Sequence, residues 1–473
     1  MKQCKMYVVF LLFALSMAAL WWIASGGTPW QGRDGARDAS GGRLVSLGDI
    51  PVSNYDRMGF TKAIVRYIPK EKGWLVGTER GELFLFSDQG EQRWKRSLGI
   101  GKLVSAALSP AGDTAYVGEQ SPTGTLYAVD VHTGDIRWQY AASDFVGSDP
   151  SQRSYPSVVH IAVDGKGTVY ANCYRFLMQK DGGRAYAGRM IAVRRDGSLA
   201  WQYPRAEVID SWINWCDVND ANGRVVLSTS AYDFREEMRY KDTLYFLRRD
   251  DGQELRSVAV APVEPFENTV LRGSPNFSAD GRYLAASCSD GRGFLFDGRG
   301  NILWERTLSA PTRVAGAWIN ASGRDGFALA EGVVFTTINT FNRENWQLPT
   351  PVEHPSSNSL FLFHYDGSFG YQYRARGTME ELAFGEGIVA CAIGRNVRTH
   401  DYSCHGALVL RLRDGRKLDF YHTEGPLQAI AVSPDGRHLA GVEAPVLTPE
   451  GRTIGAYRLH IWRREPAGPG APV

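Results

Sequence analysis

The sequence predicts an all-β protein, a closed propeller of eight four-stranded antiparallel blades, on three observations. A hairpin with a tight glycine turn recurs roughly every fifty residues. Apolar and polar residues alternate on both sides of each turn, as half-buried strands require. The 52 glycines are spread along the chain at those turns rather than gathered in one tract.

The N-terminus is a separate device. Lys2 and Lys5 precede Tyr7 to Ala24, an uncharged apolar run with Trp21 and Trp22 near its end. Its length is that of a short membrane-spanning helix, and lysines before it place the rest of the chain outside the cytoplasm. Residues 1–24 are therefore a signal anchor, or a signal peptide cleaved after Ala24, Ser25 and Gly26, which would make the protein secreted. Cys4 lies before the apolar run, so it does not make a lipoprotein signal. Residues 25–42, rich in glycine and polar side chains, are a flexible tether, and residues 466–473 a disordered tail.

The propeller occupies residues 43–465. Each cycle has a first strand, a turn of the Ser-Pro-Asp-Gly kind, a second strand, and a hairpin of third and fourth strands. Gly124 to Tyr140, GTLYAVDVHTGDIRWQY, is the clearest hairpin. Four residues beyond the turn glycine stand Trp94, Trp138, Trp201 and Trp304; Tyr371, Arg256 and Asp419 take that place in other cycles. The last cycle has only three strands before the tail. Arg43 to Gly48, RLVSLG, supplies its fourth, which closes the ring and leaves no long bare edge.

Ala128, Asp130, Thr133, Gly134 and Trp138 together resemble the tryptophan-docking repeat of quinoprotein-type (PQQ-like) β-propellers. The resemblance implies that each tryptophan wedges against the next blade. A large flat side chain at a fixed distance from a turn glycine suits a repeated gap between sheets. Architecturally the chain is similar to the propeller subunit of the outer-membrane assembly machinery.

The function follows from what the loops hold and what the chain lacks. Connections from second to third strand, and from fourth strand to the next cycle, emerge on one face. The long insertions fall there: Tyr174 to Gly188, Tyr232 to Asp242, Asn339 to Asn358, Gly394 to Gly406 and Glu443 to Gly455, with Asp144 to Val159 and Glu264 to Gly273. Trp212, Trp215 and Trp346 lie on or beside this rim, with Arg235 and Arg239 in a mixed-charge loop and His400 in another; these are the candidate binding residues. His354, His400 and His405 lack metal-ligand spacing, so no metal is expected. Cys391 and Cys404 flank a long loop and are a candidate disulfide, which an extracytoplasmic compartment permits.

A net charge of +2 without a basic run excludes nucleic acid as an expected partner. The resemblance raises a quinone-dependent dehydrogenase as the alternative, with pyrroloquinoline quinone and Ca2+ as cofactors. The alcohol dehydrogenases of that family hold the quinone over a disulfide of adjacent cysteines, beside a calcium site and an aspartate base. No two cysteines here are adjacent and no CxxCH, GxSxG or HExxH occurs, so no catalytic residue is assigned. The expectation is a monomeric, non-catalytic, membrane-tethered scaffold that binds a protein or envelope component through its long-loop face.

Overall fold

The computed structural model describes residues 36–37, 42–48 and 63–464, less 153, 179–183, 231–239, 241–242, 267–268, 270–273, 315, 343–351, 397 and 400. The predicted anchor 1–24 and the tail 466–473 lie outside the described residues, as does most of the tether 25–42. No helix among the described residues is long and apolar enough to cross a membrane. Two compact units divide at Ala36 and Arg37, and the second holds the propeller.

Its sheets are antiparallel meanders of four strands in chain order, spanning 64–97, 102–141, 157–203, 212–259, 276–307, 317–374 and 379–422. The 317–374 sheet carries an extra short strand, Thr312–Val314, and Ser157 pairs Gln120 so that the 102–141 and 157–203 meanders form one continuous sheet. Of the two remaining sheets, one pairs Val446–Leu447 with Thr453–Ile454, and the other combines Leu427–Val432, His438–Glu443 and Arg458–Arg463 with Arg43–Ser46, whose register sets Arg43 against Ile461 and Ser46 against Arg458. The clasp is steric as well as hydrogen-bonded, because a Cβ on Gly42 would stand 2.5 Å from the Trp462 ring.

Burial explains the layering. Second and third strands are mostly apolar and buried, as in Gly73–Gly77 and Ser359–Phe363, because they have a sheet on either side. Fourth strands alternate, as in Gln92–Ser97, where only Trp94 is buried. First strands of successive sheets touch one another, Ala317–Leu329 reaching Met379–Gly385 through Arg324 and the Phe327–Phe384 ring contact, and the first strand at Ile64–Ile68 touches Leu427–Val432. The core is correspondingly a series of clusters between sheets, one joining Trp74 and Phe86 to Leu459 and Ile461.

A bulge recurs where third and fourth strands pair, between Ile136 and Trp138 and between Leu295 and Phe296 among others. One extra residue turns the strand and aims the position four past the glycine at the following sheet. The turn glycine itself sits at positive φ, +76° at Gly134, where an L side chain is strained.

Three details depart from expectation. Tyr174–Met178 and Arg184–Gly188 are not loop but the far end of a ladder, with Tyr174 opposite Gly188 and Met178 opposite Arg184. Ser143–Val146 and Pro150–Gln152 are short helical turns in the connection after Ala141. Cys391 and Cys404 are free, buried thiols rather than a disulfide. Cys391 lies opposite Leu408 and Ile393 opposite Gly406, so Cys404 falls several residues, at about 3.3 Å each, from where Cys391 could be met. Its Sγ instead donates to the carbonyls of Asp401, at 3.0 Å, and Gly394.

Candidate functional site

The connections sort by face. First-to-second turns and third-to-fourth hairpins are tight, whereas 142–156, 204–211, 394–405 and 444–457 all leave from the other side. Of the predicted binding residues, Arg235, Arg239, Trp346 and His400 lie outside the described residues. Trp212 and Trp215 share the first strand Trp212–Asn219 and are half-buried. Trp212 lies 5.9 Å from the Tyr174 ring and Trp215 meets His160 edge-on at 4.9 Å, so both spend much of their surface on packing.

His354 and His405 are held by backbone groups. His354 donates from Nε2 to Ala310 O at 2.8 Å and accepts Ser356 N–H at Nδ1 at 3.1 Å, which sets a neutral tautomer, and burial holds its pKa below the usual value. Burial likewise lowers the pKa of His405, whose Nδ1 lies 3.1 Å from Glu424 O. Among the described residues no group of three His, Cys, Asp or Glu side chains could hold a metal.

First strands are stitched to one another by side chains, which sequence reasoning missed. Arg66 donates to Ala106 O, Ser105 to Val158 O and Asn276 to Gly326 O, at 3.1, 2.6 and 2.7 Å. Cys216 N–H donates to His160, Phe277 N–H to Asp217 at 2.7 Å, and Ile430 N–H to Glu381 at 3.1 Å. Arg324 donates to the Met379 and Glu380 carbonyls. Arg66 also pairs with Glu381 at 2.9 Å, reaching across the strand Leu427–Val432 that lies between them. The polar residues of the first strands were the available signal, but which backbone each meets depends on sheets far apart in the chain.

Asp217 yields a pH prediction. Burial pushes its carboxyl up from 3.8 to about 7, against the backbone N–H groups of Phe277 and Val218. A pKa raised on folding gives stability that is full below about pH 4 and is lost as pH rises through about 7. Three units correspond to about 4 kcal/mol in a dry site, and half-burial of Asp217 reduces this to about 2 kcal/mol. Asp217→Asn keeps an acceptor for Phe277 N–H and removes the charge. Denaturant unfolding of the variant should therefore lose about 2 kcal/mol less than wild type between pH 4 and pH 8; parallel pH curves would refute this account.

The tryptophans supply the outer stitching. Indole Nε1 of Trp94, Trp138, Trp201 and Trp304 donates to the carbonyls of Val131, Arg195, Arg249 and Tyr365, each at the turn of the following sheet, at 2.9 to 3.1 Å. Tyr371 Oη does the same to Leu412 O at 2.8 Å. Trp94, Trp138, Trp201 and Tyr371 each cover the next turn glycine, and a Cβ on Gly252 would stand 2.5 Å from Trp201; after Trp304 it is Arg306 that covers Gly367. Where Arg256 replaces tryptophan, Phe246 covers Gly300 instead.

Beside Trp201, on the tight-turn side, a cleft of about 400 Å³ lies between the 157–203 and 212–259 sheets. Tyr170, Lys166, Arg194, Arg195 and Arg249 line it with Asp164 and Asp250. Several of its charges are already matched, Arg249 to Asp220 and Arg195 to Asp113, both at 2.6 Å. Within the cleft Tyr170 Oη–H donates to Asp164 at 3.0 Å.

The quinone alternative does not fit these side chains. Cys173, Cys216, Cys288, Cys391 and Cys404 are buried thiols outside any disulfide, and none neighbours another in sequence. Burial pushes the thiols of Cys173 and Cys391 up to about 12, which keeps them protonated.

A family model described as outer membrane protein assembly factor BamB matches residues 24–233. Among solved structures the chain is similar to BamB from Moraxella catarrhalis, at 15% identity and a TM-score of 0.50, over 89% of this chain and 100% of that one. It is also similar to a chain in the crystal structure of the mitotic checkpoint complex, at 11% identity and a TM-score of 0.47, over 76% of this chain and 89% of that one. No curated protein matches.

Proposed function

Because this chain is a β-propeller of PQQ-like repeats, we propose that it is a non-catalytic scaffold outside the cytoplasm, which binds another protein through the face that gathers its long connections. One observation carries this reading: in the described residues the connections longer than a tight turn leave the sheets on a single side, while the opposite side keeps minimal turns. Drift alone would lengthen loops on both.

The scaffold is an eight-bladed ring. Supporting this are the contacts between successive first strands and the N-terminal strand that completes the last sheet. An envelope protein is the natural class of partner, since the apolar run at 7–24 behind Lys2 and Lys5 would tether the propeller to a membrane. The name of the matching family, an assembly factor of the outer membrane, agrees with that class.

Photo-crosslinking side chains placed one at a time at Asp144, Arg205 and Arg452 on the long-connection face, and at Gln89, Asp196 and Arg299 on the tight-turn face, test the reading in cells. Crosslinks to one protein from the first group alone, with direct binding of that protein once purified, are expected. Crosslinks confined to the second group would refute it. So would dye reduction by the purified chain when given pyrroloquinoline quinone, Ca2+ and an alcohol.

A further inference from the structure

Positive charge on the tight-turn side is concentrated at one place. From the last residue of its third strand to the first of its fourth, the 379–422 sheet carries Arg411, Arg413, Arg416 and Lys417 against Asp414 alone, a net charge of +3. The same stretch is +1 at 193–199, neutral at 297–302 and negative at 87–92, 130–136, 248–254 and 363–369. Beside it the closing sheet has Arg463 and Arg464 at the end of its third strand and Arg437 in its first turn. Backbone bonds join these turns: Leu412 N–H donates to Gly387 O, Glu386 N–H to Pro434 O and Arg464 N–H to Arg437 O, at 3.0, 3.0 and 2.7 Å.

The carboxylates nearby do not neutralise this cluster. Asp414 is taken by Arg411 at 2.9 Å and Asp419 by Arg464 at 3.0 Å. Asp435 accepts Ser433 Oγ–H at 2.5 Å, and Glu386 is the only other acid in these segments. Arg413, Arg416, Arg437 and Arg463 are exposed, and among the described residues none has a carboxylate closer than 3.9 Å. None of the exposed large apolar side chains falls in these segments, so the patch lacks the apolar centre of a protein interface.

We propose that this arginine patch docks on the anionic phospholipid headgroups of a bilayer. The proposal rests on the scaffold reading above, and it turns the long-connection face, where the partner protein binds, away from the membrane. The chain itself argues for a bilayer as the occupant. Eleven residues, 25–35, separate the apolar run from Ala36–Arg37, which joins the closing sheet beside Arg43–Ser46. Gly42 lies against the Trp462 ring, next to Arg463. A coil of eleven residues spans roughly 20 Å, so an anchored run holds lipid phosphates at high local concentration beside the patch. Arginine forks bond phosphate oxygens two at a time, and scattered exposed arginines suit a fluid array of headgroups better than one fixed partner surface.

The test places the full chain, with Cys4→Ser, in lipid nanodiscs and attaches a fluorophore at Pro434→Cys in the patch or at Glu450→Cys on the long-connection face; the other native cysteines are buried. Spin-labelled headgroups, which quench only at short range, report contact. Discs containing phosphatidylglycerol should quench the Pro434 label roughly threefold more than discs of phosphatidylcholine, and about 0.5 M NaCl should remove the difference. The Glu450 label should be quenched little in either. Arg413→Glu, Arg416→Glu and Arg463→Glu together should abolish the difference with an unchanged thermal midpoint, whereas the same change of charge at Arg194, Arg248 and Arg299 should leave it. Equal quenching in both lipids, indifference to the charge reversal, a chain that elutes free of the discs, or a photo-crosslinker at Arg416 that captures a protein instead of lipid would each overturn the proposal. Loop-face crosslinks to one protein that persist while the Pro434 label stays unquenched would sink the patch and leave the scaffold reading standing.

Discussion

Replacing Trp201 by alanine is expected to lower the free energy of unfolding by about 3–5 kcal/mol, measured by urea denaturation. Trp201 is 7% exposed, packs 5.6 Å from the Tyr170 ring and bonds Arg249 O at 2.9 Å. Alanine would leave a cavity between two sheets and a carbonyl without its donor, at about 1 kcal/mol more. Trp138→Ala should cost roughly half as much by the same measure of burial, because Trp138 is half-buried. Gly252→Ala should act from the other side of the same contact, since its Cβ would collide with the Trp201 ring at a φ of +69°. A loss below 1 kcal/mol for Trp201→Ala would mean that the wedges do not hold the sheets together.

Glu443→Leu should be comparably damaging, at about 3–5 kcal/mol, because it removes one side of a buried charged cluster. The Glu443 carboxylate is fully buried and accepts His460 Nε2–H at 2.6 Å, Gly425 N–H at 2.9 Å and Ala456 N–H at 3.1 Å. Leucine leaves all three donors facing an apolar side chain. His460 lies opposite Leu44 of the N-terminal strand, so the loss should appear first as faster amide exchange in 43–46 and 458–463. Glu443→Gln keeps an acceptor oxygen and should cost less. Uniform exchange across all sheets in Glu443→Leu would show that the carboxylate has no special hold on the clasp. Glu119 repeats the device, taking Gly101 N–H at 2.8 Å and Tyr127 Oη–H at 3.0 Å.

Much of the fold was legible because it is periodic. A turn glycine, a bulged outer strand and an aromatic at constant spacing are local features, set by backbone sterics and by alternation along one strand. The clasp was legible for a related reason: a cycle short of one strand must take it from the unpaired stretch at the other end. The candidate site was less so. Trp212 and Trp215 read as rim aromatics, yet Tyr174 and His160, some forty and fifty-five residues earlier, take up much of their surface. Cys391 and Cys404 flank one loop, but pairing register rather than proximity in the chain decides which side chains meet.

The sequence by itself determined the repeat, its turns, the outer aromatics and the sorting of long connections, because each depends on residues within one cycle. Only the tertiary structure decided which carbonyl receives each indole, how Phe246 covers for the tryptophan that Arg256 displaces, and which backbones the first-strand side chains stitch. Those outcomes depend on the distance and angle between neighbouring sheets, and that geometry comes into being only when the sheets have packed against one another.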